Sequence, residues 1–261
     1  MSGADAGGAP GPLSGPLSGK SALVTGGGSG VGAAIAAALA GAGASVTICG
    51  RREGPLAETA ARIGATPLVC DVTDEAALAA LFAEAGGFDI VIANAGASES
   101  APFAKTSLSA FRRMMDSNLT SAFLTLREGL RGMESRPWGR LVAIASTAGV
   151  KGAAYVAPYA AAKHGVVGLV RSAAQEVARK GITVNALCPG FLDTEMTDRS
   201  IANIAATTGR SPDQARAALE AVSPMRRLVP PEDVAEAVLW LCAPGSSMVT
   251  GQAIPICGGE T

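Results

Sequence analysis

Seven short apolar runs, separated by alanine-rich stretches, constrain the fold of this chain more than any other feature. Such alternation of strand-like and helix-like segments predicts a parallel sheet. Because the runs are apolar throughout rather than at every second position, we expect helices to cover both faces of the sheet. The prediction is an α/β fold with a doubly wound parallel sheet of about seven strands. The runs are SALVTG, SVTICG, TPLVCDV, DIVIANAG, RLVAIAS, ITVNALCPG and AIPICGG.

The length of 261 residues suits one domain with a cofactor-sized cleft. Residues 1–19 are mostly Gly, Pro, Ala and Ser, a composition that buries too little apolar surface to fold. We therefore predict a flexible leader, followed by a single domain over residues 20–261. Helix signals fit this domain: Pro158 suits the first position of a helix that Gly181 closes, and Ser211 to Gln214 is typical of a capping box.

The balance of positive and negative residues indicates which kind of ligand or macromolecule this chain binds. The chain carries 21 Lys and Arg against 22 Asp and Glu, which argues against a nucleic-acid partner and favours a small-molecule substrate. The sequence shows neither a signal-peptide pattern nor an apolar run of membrane-spanning length. We therefore predict a cytoplasmic protein that does not bind membranes.

Cysteine and histidine usage bears on metals and redox state. The five cysteines are odd in number, widely spread and without a CxxC pair, so we expect small buried side chains in a reducing compartment. His164 is the only histidine and has no Cys/Asp cluster near it in the sequence. We predict no metal site.

A glycine-rich turn, TGGGSGVG at residues 25–32, follows the first apolar run and opens the next predicted helix. Backbone N–H groups at a helix N-terminus attract anions, and glycines let a pyrophosphate approach closely. Gly26, Gly30 and Gly32 are therefore candidate contacts of a dinucleotide in a Rossmann-like domain. A tight strand-to-helix turn without a ligand is the alternative, because a glycine-rich match is weak by itself.

The residues after the second and third runs predict which dinucleotide binds. An NAD site would place a carboxylate after the second strand, but Arg51 and Arg52 stand there. A guanidinium suits a phosphate, so the pair favours NADP(H), with NAD(H) as the alternative cofactor. Asp71, after the third run, is a candidate acceptor for the adenine amino group. A solvated arginine pair and a helix-capping aspartate are the alternatives.

Tyr159 and Lys163 stand four residues apart on one predicted helix and so share a face. An ammonium about 4 Å from a phenol contributes roughly 4 kcal/mol at an effective dielectric of about 20, equivalent to about three pKa units. This predicts that the pKa of Tyr159 falls toward neutral pH, where the phenol acts as a general acid or base. On spacing alone, an amphipathic helix with an exposed lysine is the simpler interpretation.

Two further polar residues stand where predicted strands end. Ser146 ends RLVAIAS, and Asn94 follows the preceding strand in IANAG. Open parallel sheets bind their ligands at the carboxyl ends of the strands, so these residues, the glycine turn and the Tyr159 helix should meet at one crevice. A hydroxyl there can polarise a substrate carbonyl. This convergence favours a catalytic site over the simpler interpretation.

From residue 20 to residue 259 the sequence resembles the classical short-chain dehydrogenases/reductases, through an ordered set of motifs. TGGGSGVG resembles the family's TGxxxGxG turn, and ANAG at residues 93–96 resembles NNAG with the first Asn replaced. YAAAK resembles YxxxK and follows Ser146 at the family's interval. Asn118 in DSNLTSAF and the PGxxxT segment at residues 189–194 complete the set.

The resemblance implies an NAD(P)-dependent oxidoreductase that moves a hydride between nicotinamide and a carbonyl or secondary alcohol. Tyr159 would exchange a proton with the substrate oxygen, Lys163 would lower the pKa of Tyr159 and bind the nicotinamide ribose, and Ser146 would hold the carbonyl oxygen. Asn118 would connect Lys163 to solvent through a water. The residues predicted to contact the cofactor are Gly26, Ser29, Gly30, Val31, Gly32, Arg51, Arg52, Asp71, Val72, Asn94, Gly96, Tyr159, Lys163, Pro189, Gly190 and Thr194.

The stretch at about residues 194–224 exceeds a simple connection and predicts a helical substrate lid. This stretch and the ending VTGQAIPICGG resemble bacterial 3-hydroxybutyrate and 3-hydroxyacyl-thioester dehydrogenases and the ketoreductases of aromatic polyketide synthesis. We therefore expect a 3-oxoacyl or 3-hydroxyacyl thioester as substrate. The alternatives are another secondary alcohol, cyclic, aromatic or steroid, and a non-catalytic nucleotide-binding subunit, in which a damaged Ser/Tyr/Lys set would be expected.

The resemblance also implies a homotetramer built through the helices that contain Asn118 and Tyr159, with the end of the chain forming another interface. The predicted helix at residues 108–133 carries apolar residues on more than one side. This pattern is consistent with such an interface or with deep burial in its own domain.

Overall fold

The computed structural model describes residues 15–261, which form a seven-stranded parallel sheet in the order β3-β2-β1-β4-β5-β6-β7. Each predicted run contributes one strand, so the predicted fold class is confirmed. The direction of strand order reverses between β1 and β4, which makes their carboxyl ends the natural ligand crevice. The strands are β1 Ser21–Thr25, β2 Ser45–Gly50, β3 Thr66–Val69, β4 Ile90–Ala93, β5 Gly139–Ile144, β6 Ile182–Pro189 and β7 Ala253–Ile256.

Helices cover both faces of this sheet. One apolar cluster joins α1, α2 and α9 to one face, and a second joins α3, α5 and α6 to the other. These two layers bury the central strands, which explains why those runs are apolar throughout, whereas the edge strands β3 and β7 stay partly exposed. The helices are α1 Gly30–Gly41, α2 Glu53–Ile63, α3 Glu75–Ala85, α4 Leu108–Met115, α5 Ser121–Met133, α6 Ala157–Val177, α7 Glu195–Thr208, α8 Pro212–Glu220 and α9 Pro231–Cys242.

The helix predicted over residues 108–133 is two helices joined by a π-helical turn at Asp116–Thr120. Asn118 lies in this turn and is buried. Its amide Nδ2 donates to the carbonyl of Met114 at 3.0 Å, inside the turn itself. The uninterrupted helix was wrong because periodicity does not reveal a side chain that bonds to its own helix backbone. Such π turns occur frequently at functional sites.

The local signals at other helix ends are confirmed. Pro158 lies in the first turn of α6, and Gly181 follows that helix with a φ of 72°. The predicted capping box at α8 is present, with reciprocal bonds between Ser211 and Gln214. All five cysteines are buried and free.

The predicted leader at residues 1–19 lies mostly outside the described residues. Within its described part, Gly15–Gly19 form a turn that packs on the domain. Leu17 is buried, and its N–H donates to the carbonyl of Ala42 at 3.0 Å. The packed part of the domain therefore extends before the predicted boundary at residue 20, because one leucine in the polar segment reaches the core.

Two helices form an excursion above the sheet. α7 and α8 lie between Leu192 and Val229, which form an isolated parallel bridge at its base. The excursion has a small core of its own, made by Ile201, Ala215, Leu219 and Leu228. We call residues 194–224 the lid segment. Among residues 15–261, no helix is both long and apolar enough to cross a membrane.

Candidate active site

The glycine turn between β1 and α1 is built so that only glycine fits at several positions. Gly26 and Gly30 have φ values of 67° and 53°, in the left-handed region. A Cβ on Gly32 would lie 2.5 Å from Nδ2 of Asn94 and would overlap the carbonyl oxygen of Gly26. The turn therefore presents bare backbone at the N-terminus of α1, as an anion site requires.

Asn94 holds this turn in place. Its Nδ2 donates to the carbonyl of Thr25 at 2.8 Å. The Thr25 hydroxyl in turn accepts from the N–H of Asn94 at 2.9 Å and from that of Ala95 at 3.0 Å. Sequence reasoning missed Thr25, which is buried at the end of β1. Its one signal is that it is a polar residue that ends an apolar strand directly before the glycines.

Arg51 and Arg52 lie at the β2 and β3 edge of the crevice. Nη2 of Arg52 donates to the hydroxyl of Ser29 at 3.0 Å. Nη1 of Arg51 lies 3.9 Å from Oδ2 of Asp71, and the Arg51 side chain is largely exposed. The Arg52 guanidinium therefore lies against the glycine turn, and the Arg51 guanidinium lies toward Asp71, where it is exposed to a ligand.

Asp71 bonds mainly within its own loop. Its Oδ1 accepts from the N–H of Thr73 at 3.0 Å and from its hydroxyl at 2.8 Å. These bonds, and the nearby Arg51, lower the pKa of Asp71 below its ordinary value despite some desolvation. The aspartate that caps α3 is Asp74 rather than Asp71. Its carboxylate accepts from two N–H groups at the start of α3.

Other predicted cofactor residues lie in two different settings. Val72 is buried in the apolar cluster beneath α3, and Val31 is partly buried against the opposite cluster. Thr194 lies against the glycine turn, since a Cβ on Gly30 would be 3.5 Å from its Cγ2. Gly190 donates its N–H to the carbonyl of Ile256 at 3.0 Å.

Ser146, Tyr159 and Lys163 meet at the end of β5. The hydroxyl of Ser146 accepts from the N–H of Ala148 at 3.1 Å, and it lies close enough to the Tyr159 hydroxyl to lower the pKa of that phenol. Lys163 is buried, and its Nζ donates to the carbonyl of Ile144 at 2.8 Å. The same Nζ lies 5.6 Å from the centre of the Tyr159 ring. The exposed lysine of the simpler interpretation is thereby excluded.

Burial dominates the electrostatics of this cluster. Desolvation raises the pKa of Tyr159 above its ordinary value, and the bond to Ser146 offsets only part of that rise. Desolvation lowers the pKa of Lys163 to about 8. The predicted fall of the Tyr159 pKa toward neutrality is therefore wrong for this structure. The Lys163 ammonium faces a backbone carbonyl, and burial outweighs its attraction for a phenolate.

Asn118 and Gly96 complete the cluster from the β4 side. Oδ1 of Asn118 accepts from the N–H of Ala97 at 3.3 Å, and Nδ2 donates to the carbonyl of Ala97 at 2.9 Å. A Cβ on Gly96 would lie 2.6 Å from Oδ1 of Asn118 and 3.7 Å from Nζ of Lys163. A glycine is needed at this position because the amide and the ammonium approach the same backbone.

Sequence reasoning also missed the role of Cys188 at the end of β6. Its thiol is fully buried and accepts a hydrogen bond from the backbone N–H of Ser146. Burial raises the pKa of Cys188 to about 11, so it stays a neutral thiol near neutral pH. Cys188 thus contacts the backbone of Ser146 and helps to hold it in place. The sequence signal was its place directly before Pro189 and Gly190.

The residues of the crevice fit a dinucleotide. Bare glycine backbone lies at the start of α1, two guanidinium groups lie at one end, and a buried ammonium lies at the other. In the part of the chain that the structure describes, Lys163 forms no ion pair, so its charge is available to a ligand. Nowhere within residues 15–261 do three or more His, Cys, Asp or Glu side chains gather as a metal site would need.

A family model described as enoyl-(acyl carrier protein) reductase, within the short-chain dehydrogenases/reductases, matches residues 26–261. The chain belongs to the short-chain dehydrogenase/reductase family. It is an oxidoreductase, and the family binds nicotinamide cofactors. The predicted enzyme class is therefore confirmed, and the non-catalytic alternative falls.

Named relatives of this short-chain dehydrogenase/reductase act on different carbonyl or alcohol groups. The 3-oxoacyl-[acyl-carrier-protein] reductase FabG of Vibrio cholerae is 37% identical over 185 residues, 71% of each chain. The cis-4-hydroxycyclohexanecarboxylate dehydrogenase of Sinomonas cyclohexanicum is 39% identical over 196 residues, 73% of this chain and 74% of that one. A crystal structure of a variant actinorhodin polyketide ketoreductase with NADPH aligns with a TM-score of 0.88 at 36% identity, covering 95% of this chain and 99% of that one.

Proposed function

We propose that this enzyme reduces the carbonyl of a 3-oxoacyl thioester with NADPH, or catalyses the reverse oxidation. One observation carries the proposal: the neighbouring hydroxyls of Ser146 and Tyr159 lie beside the buried ammonium of Lys163, whose Nζ is 5.6 Å from the centre of the Tyr159 ring. This pair of donors can hold one carbonyl oxygen, which is the geometry that proton transfer to that oxygen requires. The names of the ketoacyl reductase relatives support the thioester.

The proposed mechanism divides the work among four side chains. Bound NADPH supplies the hydride. Ser146 donates a hydrogen bond to the substrate oxygen, and Tyr159, which burial keeps protonated, gives that oxygen its proton. Lys163 then stabilises the phenolate and binds the nicotinamide ribose. Asn118 fixes the Ala97 backbone beside Lys163. The family resemblance implies that Asn118 would also hold the water of a proton relay.

The proposed preference for NADPH rests on the open end of the crevice. Arg52 bonds to Ser29 where the adenosine ribose would lie, and Arg51, next to it in sequence, lies 3.9 Å from Asp71. A guanidinium pair suits a 2′-phosphate, whereas a ribose 2′-OH calls for a carboxylate. Asp71 remains the proposed partner of the adenine.

Apolar side chains at the edge of the site support an acyl or ring-bearing substrate. Tyr155 stands on the loop before α6, and its carbonyl accepts from the N–H of Ala101, which joins it to the loop that carries Phe103. Tyr155, Phe103 and Met225 are all largely exposed. A cyclic secondary alcohol is the second candidate substrate, because one relative is named for a hydroxycyclohexane acid.

A substrate panel tests this proposal. Initial rates would be measured with NADPH and NADH for acetoacetyl-CoA, longer 3-oxoacyl-CoA esters and simple ketones, and with NADP+ and NAD+ for 3-hydroxybutyryl-CoA and 4-hydroxycyclohexanecarboxylate. The proposal expects the highest kcat/KM for reduction with a 3-oxoacyl thioester and NADPH, and for oxidation with the 3-hydroxyacyl thioester. A clear preference for the cyclic alcohol in oxidation would replace the thioester with the second candidate, and a preference for simple ketones in reduction would refute the thioester.

The homotetramer remains a proposal, and one groove supports it. Leu119, Phe123, Gly165 and Leu169 line an apolar groove between α5 and α6. Phe123 is 42% exposed there, so burial within its own domain does not account for it. Light scattering over a range of concentrations tests the proposal. Wild type should be a tetramer and Phe123→Glu a smaller species, and a wild-type monomer at all concentrations would refute it.

The cytoplasmic location is also a proposal. It is supported by five free, buried cysteines, which suit a reducing compartment. Cell fractionation with an antibody to the chain would test it, and recovery from an extracytoplasmic fraction would contradict it.

A further inference from the structure

The segment that follows β7 contacts three parts of the site that lie far from it in sequence. We call this segment, Cys257–Thr261, the β7 tail. It touches the loop between Ser146 and Tyr159, the turn at Gly190, and the end of the lid segment. The proposed function assigns no role to the tail.

The first contact is an ion pair with Lys151, on the loop between Ser146 and Tyr159. Nζ of Lys151 lies 2.9 Å from Oε1 of Glu260 and donates to the Glu260 carbonyl at 3.3 Å. The Glu260 side chain is only 6% exposed. The Lys151 side chain is 39% exposed, so the pair is buried on the carboxylate side only. Removing Lys151 would leave the buried Glu260 carboxylate without its partner, so the contact restrains the loop more firmly than a pair exposed on both sides would.

The second contact lies at the turn that is predicted to bind nicotinamide. A Cβ on Gly190 would lie 2.9 Å from Oε2 of Glu260 and 3.3 Å from the Cβ of Cys257. The two oxygens of one carboxylate therefore lie between Lys151 and Gly190. Cys257 is itself fixed within the tail, where its thiol lies 3.6 Å from the hydroxyl of Thr261.

The third contact joins the tail to the end of the lid segment. The Ser223 hydroxyl donates to the carbonyl of Gly258 at 3.2 Å. Gly258 and Gly259 have φ values of 61° and 88°, and a Cβ on Gly259 would lie 3.4 Å from Pro224. The tail can therefore approach the lid segment this closely only because Gly258 and Gly259 have no side chains.

We propose that Glu260 is a positioning residue that couples the lid segment to the reacting groups. Through Lys151 it fixes the loop between Ser146 and Tyr159, and through its contact at Gly190 it fixes the nicotinamide turn. A lid that closes on substrate would thereby hold both in their productive arrangement. The kinetic part of this proposal rests on the proposed function.

A double-mutant cycle with charge reversal tests the coupling. With acetoacetyl-CoA and NADPH, Glu260→Gln and Lys151→Met should each lower kcat/KM about tenfold, since small misplacements near reacting groups are costly. The double variant should be no worse than either single one. The exchanged pair, Lys151→Glu with Glu260→Lys, should regain activity. The Kd for NADPH should change less than about threefold, because the glycine turn and arginine pair are untouched.

Arg136→Met provides the matched control. It breaks an ion pair to Asp89 of 2.8 Å, also partly buried, at the amino end of the central strand β4, away from the crevice. It should lower thermal stability while leaving kcat/KM within about twofold of wild type. Additive losses in the cycle, or kinetic losses in the control equal to those of Glu260→Gln, would overturn the proposal.

Hydrogen exchange gives a second measurement that needs no turnover. Glu260→Gln should speed amide exchange in both the loop at residues 147–156 and the lid segment, whereas Arg136→Met should speed neither. Unchanged exchange in the two segments would refute the coupling even if the enzyme used another substrate. Absence of wild-type activity on any thioester, with exchange altered as expected, would instead refute only the proposed function.

Discussion

The two ends of the crevice are built differently. At the β2 and β3 edge, charged side chains are exposed and loosely paired, with Arg51 and Asp71 separated by 3.9 Å. At the β5 and α6 edge, Lys163 and Asn118 are buried, and their polar atoms bond to backbone at about 3 Å. Under the proposed function, the first end selects the cofactor and the second end positions the reacting groups.

This difference has a consequence for substitution. A change at the open end should alter cofactor binding and little else, because water can replace a lost partner. A change at the buried end should lower stability, catalytic rate or both, because water cannot hydrogen-bond to the buried polar groups that lose their partner. The four predictions below test this contrast, from the largest expected effect to the smallest.

Tyr159→Phe should lower kcat for reduction about 1,000-fold, because it removes the proton donor. The melting temperature and the Kd for NADPH should stay close to wild-type values, because the ring is retained. Steady-state rates and fluorescence titration provide the measurements. Tyr155→Phe is the matched control and should retain kcat within about twofold, since Tyr155 is exposed on the preceding loop. Retention of more than a tenth of wild-type activity in Tyr159→Phe would exclude it as the acid.

Asn118→Ala should lower the free energy of unfolding by about 3 kcal/mol, because the N–H and carbonyl of Ala97 lose their buried partner. Urea denaturation followed by circular dichroism measures this value. Asn203→Ala, which removes an exposed bond to Ser100, should cost less than about 0.5 kcal/mol. Equal losses in the two variants would contradict a special structural role for the π-helical turn.

Arg51→Ala combined with Arg52→Ala should raise the Kd for NADPH about 30-fold while changing the Kd for NADH less than about twofold. The loss arises from charge-assisted bonds to the 2′-phosphate, which only NADPH carries. Fluorescence titration with both cofactors measures it. The control replaces Arg179 and Lys180, exposed basic residues beyond the end of α6, and should leave both values unchanged. Tighter binding of NADH by wild type would refute the assignment.

The kcat/KM for reduction, measured with limiting NADPH, should be level below about pH 7.5 and fall about tenfold per unit well above pH 8. Burial lowers the pKa of Lys163 to about 8, so its ammonium is lost as the pH rises through that value. Burial raises the pKa of Tyr159, which therefore keeps its proton over this range and does not cause the fall. A profile that stays level to about pH 9.5 would show that the Lys163 charge is not needed.

Much of the open end could be predicted from the sequence. Each predicted strand appeared, and Arg52 bonds to Ser29 in the glycine turn. These features depend on local patterns, since strand propensity and the strand-to-turn succession are set by neighbouring residues. Asp71 shows the limit of this reasoning. Whether it or Asp74 caps α3 depends on loop geometry that spacing does not reveal.

The residues of the buried end were predicted from the sequence, but the direction of the Tyr159 pKa shift was not. Ser146, Tyr159 and Lys163 were expected to meet, and the structure brings them together. The expected fall of the Tyr159 pKa did not occur, because a pairwise charge estimate omits desolvation. That omission matters most for a lysine whose ammonium is already bonded to the Ile144 carbonyl.

The sequence by itself determined the layered sheet, the glycine turn and the succession of reactive residues, because apolar periodicity and conformational restriction act between neighbours along the chain. Only the tertiary structure decided how deeply Lys163 is buried, that Asn118 interrupts its helix, and that Glu260 meets Lys151 across 109 residues. Those outcomes depend on desolvation and on contacts between distant segments. Both exist only once the sheet has brought the segments together.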